Sequence, residues 1–320
     1  MANDFSQVVF SLPGNDFFET IIPDIKGSAS FIWRGFENES PLNKIVGKRE
    51  YFDLNQPFAI PLAEMPFRED ISQNEYELLV KKAIDFSNQF HGKVVLSRNA
   101  LKSIQDFSIN NSLKRLKASF PNALVYLLAT ENDGIWMGAT PETLVKQTIY
   151  GFETMALAGT KWNNEAFEEK EFFEQELVVK SIAEKLNEEN VTVGERISHQ
   201  FGAINHLKTP ISWLGNKSID QYASLLHPTS AICGFPQKEA YDFILKTENY
   251  QRSLYTGYLG LIDANENSHL FVNLRCMQLF RNHLLLYAGG GINEMSVPQT
   301  EWEETNRKMN TVLSAMKIND

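Results

Sequence analysis

The sequence predicts an α+β protein built on antiparallel sheet. Helix-like and strand-like segments come in mixed order, not as a regular βαβ repeat. The strand-like segments arrive in hairpin-like runs, above all near the C-terminus. No intervening stretch has linker composition and no repeat of solenoid period is present, so residues 1–320 are expected to form a single domain.

Pro, Gly and Asn make the first ~70 residues read as irregular and turn-rich, with one strand at SASFIWRG (28–35). Residues 51–70 follow as a Pro-punctuated connection. SQNEYELLVKKAIDFSNQF (72–90) is an amphipathic helix with a Ser72 cap and Tyr76, Leu79, Ala83 and Phe86 on one side. KVVLSRNALK is a strand, and INNSLKRLKASFP is a helix that Pro121 ends. NALVYLLATE and the segment from Gly134 to Thr160 read as strands with turns. Residues 165–190 carry the longest helical pattern, followed by strand-like segments and a loop-rich stretch around LKTP. Two helices separated by a Pro/Gly elbow, three strands and a last helix at 299–316 complete the chain.

Composition narrows the function. With 43% hydrophobic residues the chain can bury a large core. A net charge of −10 with no basic block excludes a general nucleic-acid binder, and any anion site has to be built locally. Cys233 and Cys276 give no zinc spacing and no disulfide framework, and read as reduced, partly buried thiols. MANDFSQVVFSLPGN lacks the basic start of a signal peptide, and no apolar run could span a bilayer. A cytoplasmic protein without membrane or nucleic-acid partners is expected.

Two acidic stripes stand out. On a helix, Glu301, Glu304 and Lys308 fall within about 60° of one another, and Val312 continues the stripe while Glu303 and Arg307 lie elsewhere. Glu171 and Glu174 share the i,i+3 spacing and lead into Val178 and Ile182. Each stripe alone favours a solvated surface, with a Glu304–Lys308 pair contributing a few tenths of a kcal/mol. Facing each other, they offer oxygen donors without a nearby His, which suits Mg²⁺ before Zn²⁺.

Nine segments in order then resemble one family. They are GKVVLSR, GATPETLV, ALAGT, EKEFFEQELVV, LLHPTSAICGFP, RSLYTGYLG, VNLRCMQL, YAGGGI and EWEETNRK. The series is similar to that of the chorismate-utilising enzymes: isochorismate and salicylate synthases and the large subunits of anthranilate and aminodeoxychorismate synthases. It runs from about residue 90 to the C-terminus, the preceding part being short for the family. The resemblance implies an α/β sandwich of two large antiparallel sheets with flanking helices and the active site between them.

It also implies roles. Lys93 matches a base that activates water, a task that burial and a neighbouring cation favour. Glu142 matches the general acid and has to stay protonated at neutral pH. Glu174 and Glu304 match direct Mg²⁺ ligands, with Glu171 and Glu301 holding metal-bound waters. Arg275 matches the arginine that grips the enolpyruvyl carboxylate, with Tyr255 and Lys308 reaching the same region. Gly159, Thr160, Gly290 and Gly291 match close backbone approaches to the substrate. His227 matches a histidine near the ring and the leaving hydroxyl, and Ala231 and Ile232 line the ring pocket.

Gln175 stands where the family commonly has His, HPTSA replaces HPTPA and AGGGI replaces AGAGI. Lys93 and the Ala158 of ALAGT point to water, not ammonia or a lysine, as nucleophile, so no glutaminase subunit is expected. The implied activity is Mg²⁺-dependent isochorismate synthesis from chorismate, for menaquinone or siderophore precursors. A salicylate synthase and a non-catalytic chorismate-binding subunit remain the alternatives.

Overall fold

The computed structural model describes residues 6–56, 60–66, 68–105, 107–162, 165–187, 189–202, 204–264 and 268–316. The start of the N-terminal segment tested for a signal peptide lies outside them, as does residue 188 in the long helical pattern. The chain opens with β1 (Ser6–Ser11), β2 (Phe18–Pro23), β3 (Ala29–Arg34), β4 (Asn43–Phe52), α1 (Gln73–Phe90), β5 (Lys93–Ser103) and α2 (Ile109–Ser119). Next come β6 (Leu124–Thr130), β7 (Gly134–Thr140), β8 (Thr143–Thr148), β9 (Gly151–Trp162) and α3 (Glu169–Lys185). β10 (Asn190–Val193), β11 (Ile197–Phe201), β12 (Ile204–Leu214), α4 (Ile219–Leu226), β13 (Gly234–Phe235) and α5 (Gln237–Thr247) follow. β14 (Tyr258–Asp263), β15 (His269–Val272), β16 (Cys276–Phe280), β17 (His283–Ile292) and α6 (Pro298–Met316) complete it.

All pairings among the described strands are antiparallel. One half of the ladder runs β13–β5–β17–β16–β7–β6–β1. The other runs β2–β4–β3–β14–β15–β8–β9–β12, with β10 and β11 side by side on the edge of β12. Among the described residues only Val9↔Thr20 and Phe10↔Glu19 join the halves, so the two expected sheets are two wings of one ladder.

Alternation within single strands builds the layers. Leu124, Tyr126 and Leu128 of β6 enter the core between the sheets, with Phe31 and Trp33 of β3 and Leu259 of β14. Val125, Leu127 and Ala129 point the other way, under Leu113 and Leu116 of α2 and Met309 and Val312 of α6. A continuous apolar run is what a strand covered on both faces requires. Val178 and Ile182 of α3 and Tyr222 and Leu226 of α4 cover the outer face of the second sheet. Tyr76, Val80 and Ala83 of α1 pack with Ala240 and Ile244 of α5 beside the start of β5. The predicted cap holds: the Glu75 amide donates to Ser72 Oγ and Glu75 reaches back to the Ser72 amide. Both cysteines are free and buried.

Four readings of the sequence need correction. The N-terminal part holds four strands, because its turn residues mark tight connections: Asn15 N–H donates to Leu12 O, with Gly14 at φ 81°, and Gly27 N–H donates to Asp24 O. α3 has 17 residues and is shorter than α6 with 19. LKTP lies inside β12. β11 pairs there up to Lys208 and β10 from Ile211, so Pro210, which has no N–H, falls in the gap between the two partners. Lastly, HLFVNLRCMQLF forms two strands, because Arg275 adopts φ 50° and breaks the ladder.

Candidate active site

A cavity opens where β5 and β17 run out together, Gly291 standing opposite Val95. The ends of β9 and β12, the β7–β8 turn, the β15–β16 break and the Ala231–Ile232 loop close it. Asn273 holds that break by accepting from Tyr126 Oη at 2.6 Å and donating to Leu254 O at 2.8 Å. Of the residues assigned from sequence, Glu142, Glu174, Arg275, Tyr255, Lys308, Gly159, Thr160, Ala231, Ile232 and Gly291 line the cavity.

Lys93 lies beneath it, fully buried, with Nζ 3.0 Å from Glu174 Oε1. Its ion-pair partner is thus an anion and not the neighbouring cation expected. Glu142 is 4% exposed. Burial pushes its carboxyl up to about 8, against the pull of Lys93 and Arg275. A carboxyl raised in this way stays protonated at neutral pH, as the role implied by the resemblance needs.

Arg275 is half-buried, and loss of water lowers its guanidinium from the usual value. It makes no ion pair with a carboxylate among the described residues. Its Nη2 lies 3.5 Å from His206 Nε2. A guanidinium short of both water and a carboxylate partner is suited to an anionic ligand. Tyr255 stacks on Tyr287 at 5.3 Å, and Lys308 Nζ donates to Gly289 O at 2.7 Å.

The carboxylates gather around the glycines of β17. Side chains alternate across a strand, so Gly289 and Gly291 face the cavity while Gly290 faces α6. A Cβ at Gly291 would collide with the Glu174 carboxylate. One at Gly290 would stand 3.0 Å from Glu301 Oε2 and 3.5 Å from Glu304 Oε1. Each of the three carboxylates meets an ammonium: Glu174 meets Lys93, Glu304 meets Lys308 at 2.5 Å, and Glu301 meets Lys170 at 2.6 Å. Glu171 is diverted. Its Oε2 accepts from the Glu168 amide at 2.8 Å and lies 3.3 Å from Lys161.

As they stand, no three His, Cys, Asp or Glu side chains among the described residues are grouped to ligate one ion. The donor set still fits Mg²⁺. It is all oxygen, Glu301 Oε2 is buried without a partner, and glycines leave the room. Mg²⁺ keeps several waters and needs few direct protein ligands.

Beside Glu171 and Gly290, one more residue departs from its assignment. His227 lies off the cavity, edge-on to Tyr258, with Nε2 2.9 Å from Thr256 O. The histidine that lines the cavity is His206, which sequence reading passed over because it stands just before the supposed loop at LKTP. It sits in β12 opposite Thr160, with Nδ1 3.1 Å from Gly159 O. Burial, then Arg275 and Lys308, hold its pKa well below the ordinary value, so the ring is neutral. Gln175 points away from the cavity and donates to Thr209 Oγ1 at 2.6 Å.

Residues 40–317 match the family described as chorismate binding enzyme. The chain belongs to that family. It is 32% identical over 245 residues to isochorismate synthase EntC of Escherichia coli strain K12, covering 71% of this chain and 62% of that protein. With the vibriobactin-specific isochorismate synthase of Vibrio cholerae serotype O1 it shares 30% over 318 residues, 89% of this chain and 79% of the other. Less than two thirds of EntC is therefore spanned. DhbC from Bacillus anthracis shares the fold with a TM-score of 0.84 at 23% identity, over 98% of this chain and 97% of that one. MenF from Escherichia coli shares it at 0.79 and 20% identity, over 98% and 89%. Among the described residues no helix is long and apolar enough to cross a membrane.

Proposed function

We propose that the chain is an isochorismate synthase acting as one catalytic domain, converting chorismate to isochorismate for menaquinone or siderophore precursors. The observation that carries this is Glu142, a buried carboxyl kept protonated to about 8 beside Lys93 and Arg275. In the proposed step Lys93 takes a proton from water as its oxygen bonds to C2. Glu142 gives its proton to the C4 oxygen, which leaves as water as the ring double bonds shift. One water enters and one departs, so substrate and product are isomers. Arg275, Tyr255 and Lys308 grip the enolpyruvyl carboxylate. Neutral His206 and Thr160 face the ring hydroxyls, and Ala231 and Ile232 bound the ring.

Glu174 and Glu304 would hold Mg²⁺ directly and Glu301 a water on it; Glu171 could join only by leaving Lys161 and the Glu168 amide. When bound, Mg²⁺ would anchor the ring carboxylate and offset the Glu174 charge. Water is the nucleophile in this reading, so no glutaminase partner is needed.

The test is chromatography of ring products from purified protein, chorismate and Mg²⁺. Isochorismate, lost with EDTA, is expected. Stoichiometric pyruvate and salicylate would instead make it a salicylate synthase, and no turnover a binding subunit. Lys93→Ala and Glu142→Gln should abolish turnover in folded protein, and near-normal rates in Lys93→Ala would require another base.

A further inference from the structure

Three of the four glutamates assigned to Mg²⁺ share their surroundings with a lysine that the reaction does not use. Lys170 stands on α3, one turn before Glu174, and reaches across to α6. Its Nζ lies 2.6 Å from Glu301 Oε1. The negative charges of Glu301, Glu304 and Glu174 all act on it. It does not line the cavity, and its side chain is 20% exposed, so a path to solvent is open. Lys93 and Lys308, the ammonium partners of Glu174 and Glu304, have other tasks in the cavity. Lys170 has only the carboxylates.

We propose that Lys170 is a built-in counter-ion that ties α3 to α6 through the acidic cluster and that a divalent cation has to displace to bind. Each of the three carboxylates already has an ammonium partner. An incoming dication therefore meets little attraction until an ammonium withdraws. Lys93 is fully buried and Lys308 is held by Gly289 O, so Lys170 is the one free to turn outward. Mg²⁺ affinity without substrate is then set by exchange against this side chain.

The inference rests on the Mg²⁺ reading above, and calorimetric titration of the substrate-free protein with MgCl2 separates the two. Wild type should bind weakly. Lys170→Met should bind roughly tenfold tighter, because one charge-assisted hydrogen bond no longer has to be broken, and Lys170→Arg should stay near wild type. Without Mg²⁺, Lys170→Met should unfold at lower temperature than wild type, with the gap closing at saturating Mg²⁺. Unchanged or weaker binding in Lys170→Met, with wild type binding normally, overturns the counter-ion role and leaves the metal assignment standing. Tighter binding in Lys170→Arg also overturns it. If wild type and both variants take up no Mg²⁺, the metal reading fails and the exchange with it. Should Lys170→Met not fold, Lys170→Gln serves the same comparison.

Discussion

α3 and α6 carry the same pattern, two glutamates three residues apart leading into an apolar stripe, yet they use it differently. On α6 both carboxylates turn to Gly290. On α3 only Glu174 reaches the glycines, while Glu171 caps its own helix and pairs with Lys161. The difference is one residue of phase. Glu171 is the third residue of α3, where a carboxylate reaches the amide before the helix, whereas Glu301 is the fourth residue of α6. Spacing sets which face a side chain takes, and distance from the helix start sets which partner claims it.

Several measurements would break or sharpen that contrast. The largest effect is expected at Glu174. Replacing it with Ala leaves Lys93 buried without a partner, which should cost about 3–5 kcal/mol of stability and abolish turnover. Denaturant melts and product assays check both, and wild-type stability would mean that the pair contributes nothing.

Next comes Glu142. Its folded pKa of about 8 lies above its unfolded value near 4.5. Between those values the folded state binds the extra proton, so stability is full below the lower one and declines as pH rises to the upper one. kcat/KM should fall above pH about 8 as the acid is lost. A profile flat through that range, or a Glu142→Gln enzyme with the same descending limb, would remove Glu142 as the acid.

Glu301→Gln should weaken Mg²⁺ binding roughly tenfold, the effect of losing a group that holds a metal-bound water. Glu171→Gln should change Mg²⁺ affinity and stability little, because the amide oxygen of Gln still accepts from the Glu168 amide. Equal losses of affinity at the two positions would restore the symmetry that the structure breaks. The smallest effect belongs to the exposed Glu303, whose change to Gln should leave rate and melting temperature within error.

Much of this was legible beforehand. The antiparallel α+β class, the capped helix at 72–90 and the grouping of Glu301, Glu304 and Lys308 on one stripe are local properties, readable from period and cap chemistry. Each stripe alone favours a solvated face, and only the packing of α3 and α6 buries Glu174, Glu301 and Lys308. Glu142 and Arg275 entered only through the resemblance, because a turn glutamate and a strand arginine have no signature of their own. His206 and His227 show the limit most plainly. Both are single histidines beside a Pro-containing stretch. One reaches the cavity because the register of β12 on β9 sets it opposite Thr160, and the other is taken by Tyr258 and Thr256.

By itself the sequence determined the elements and the faces they present, since helix period, strand alternation and capping act within a few residues of the chain. Tertiary structure alone decided the rest: that Arg275 breaks a strand and has no carboxylate partner among the described residues, that Gly290 and Gly291 make room for three carboxylates, and that Lys170 sits among them. Those outcomes depend on contacts between segments far apart in the chain, 131 residues for Lys170 and Glu301 and 147 for Tyr126 and Asn273. Partner and burial, not residue type, set the charge state and reach of a side chain in such a place.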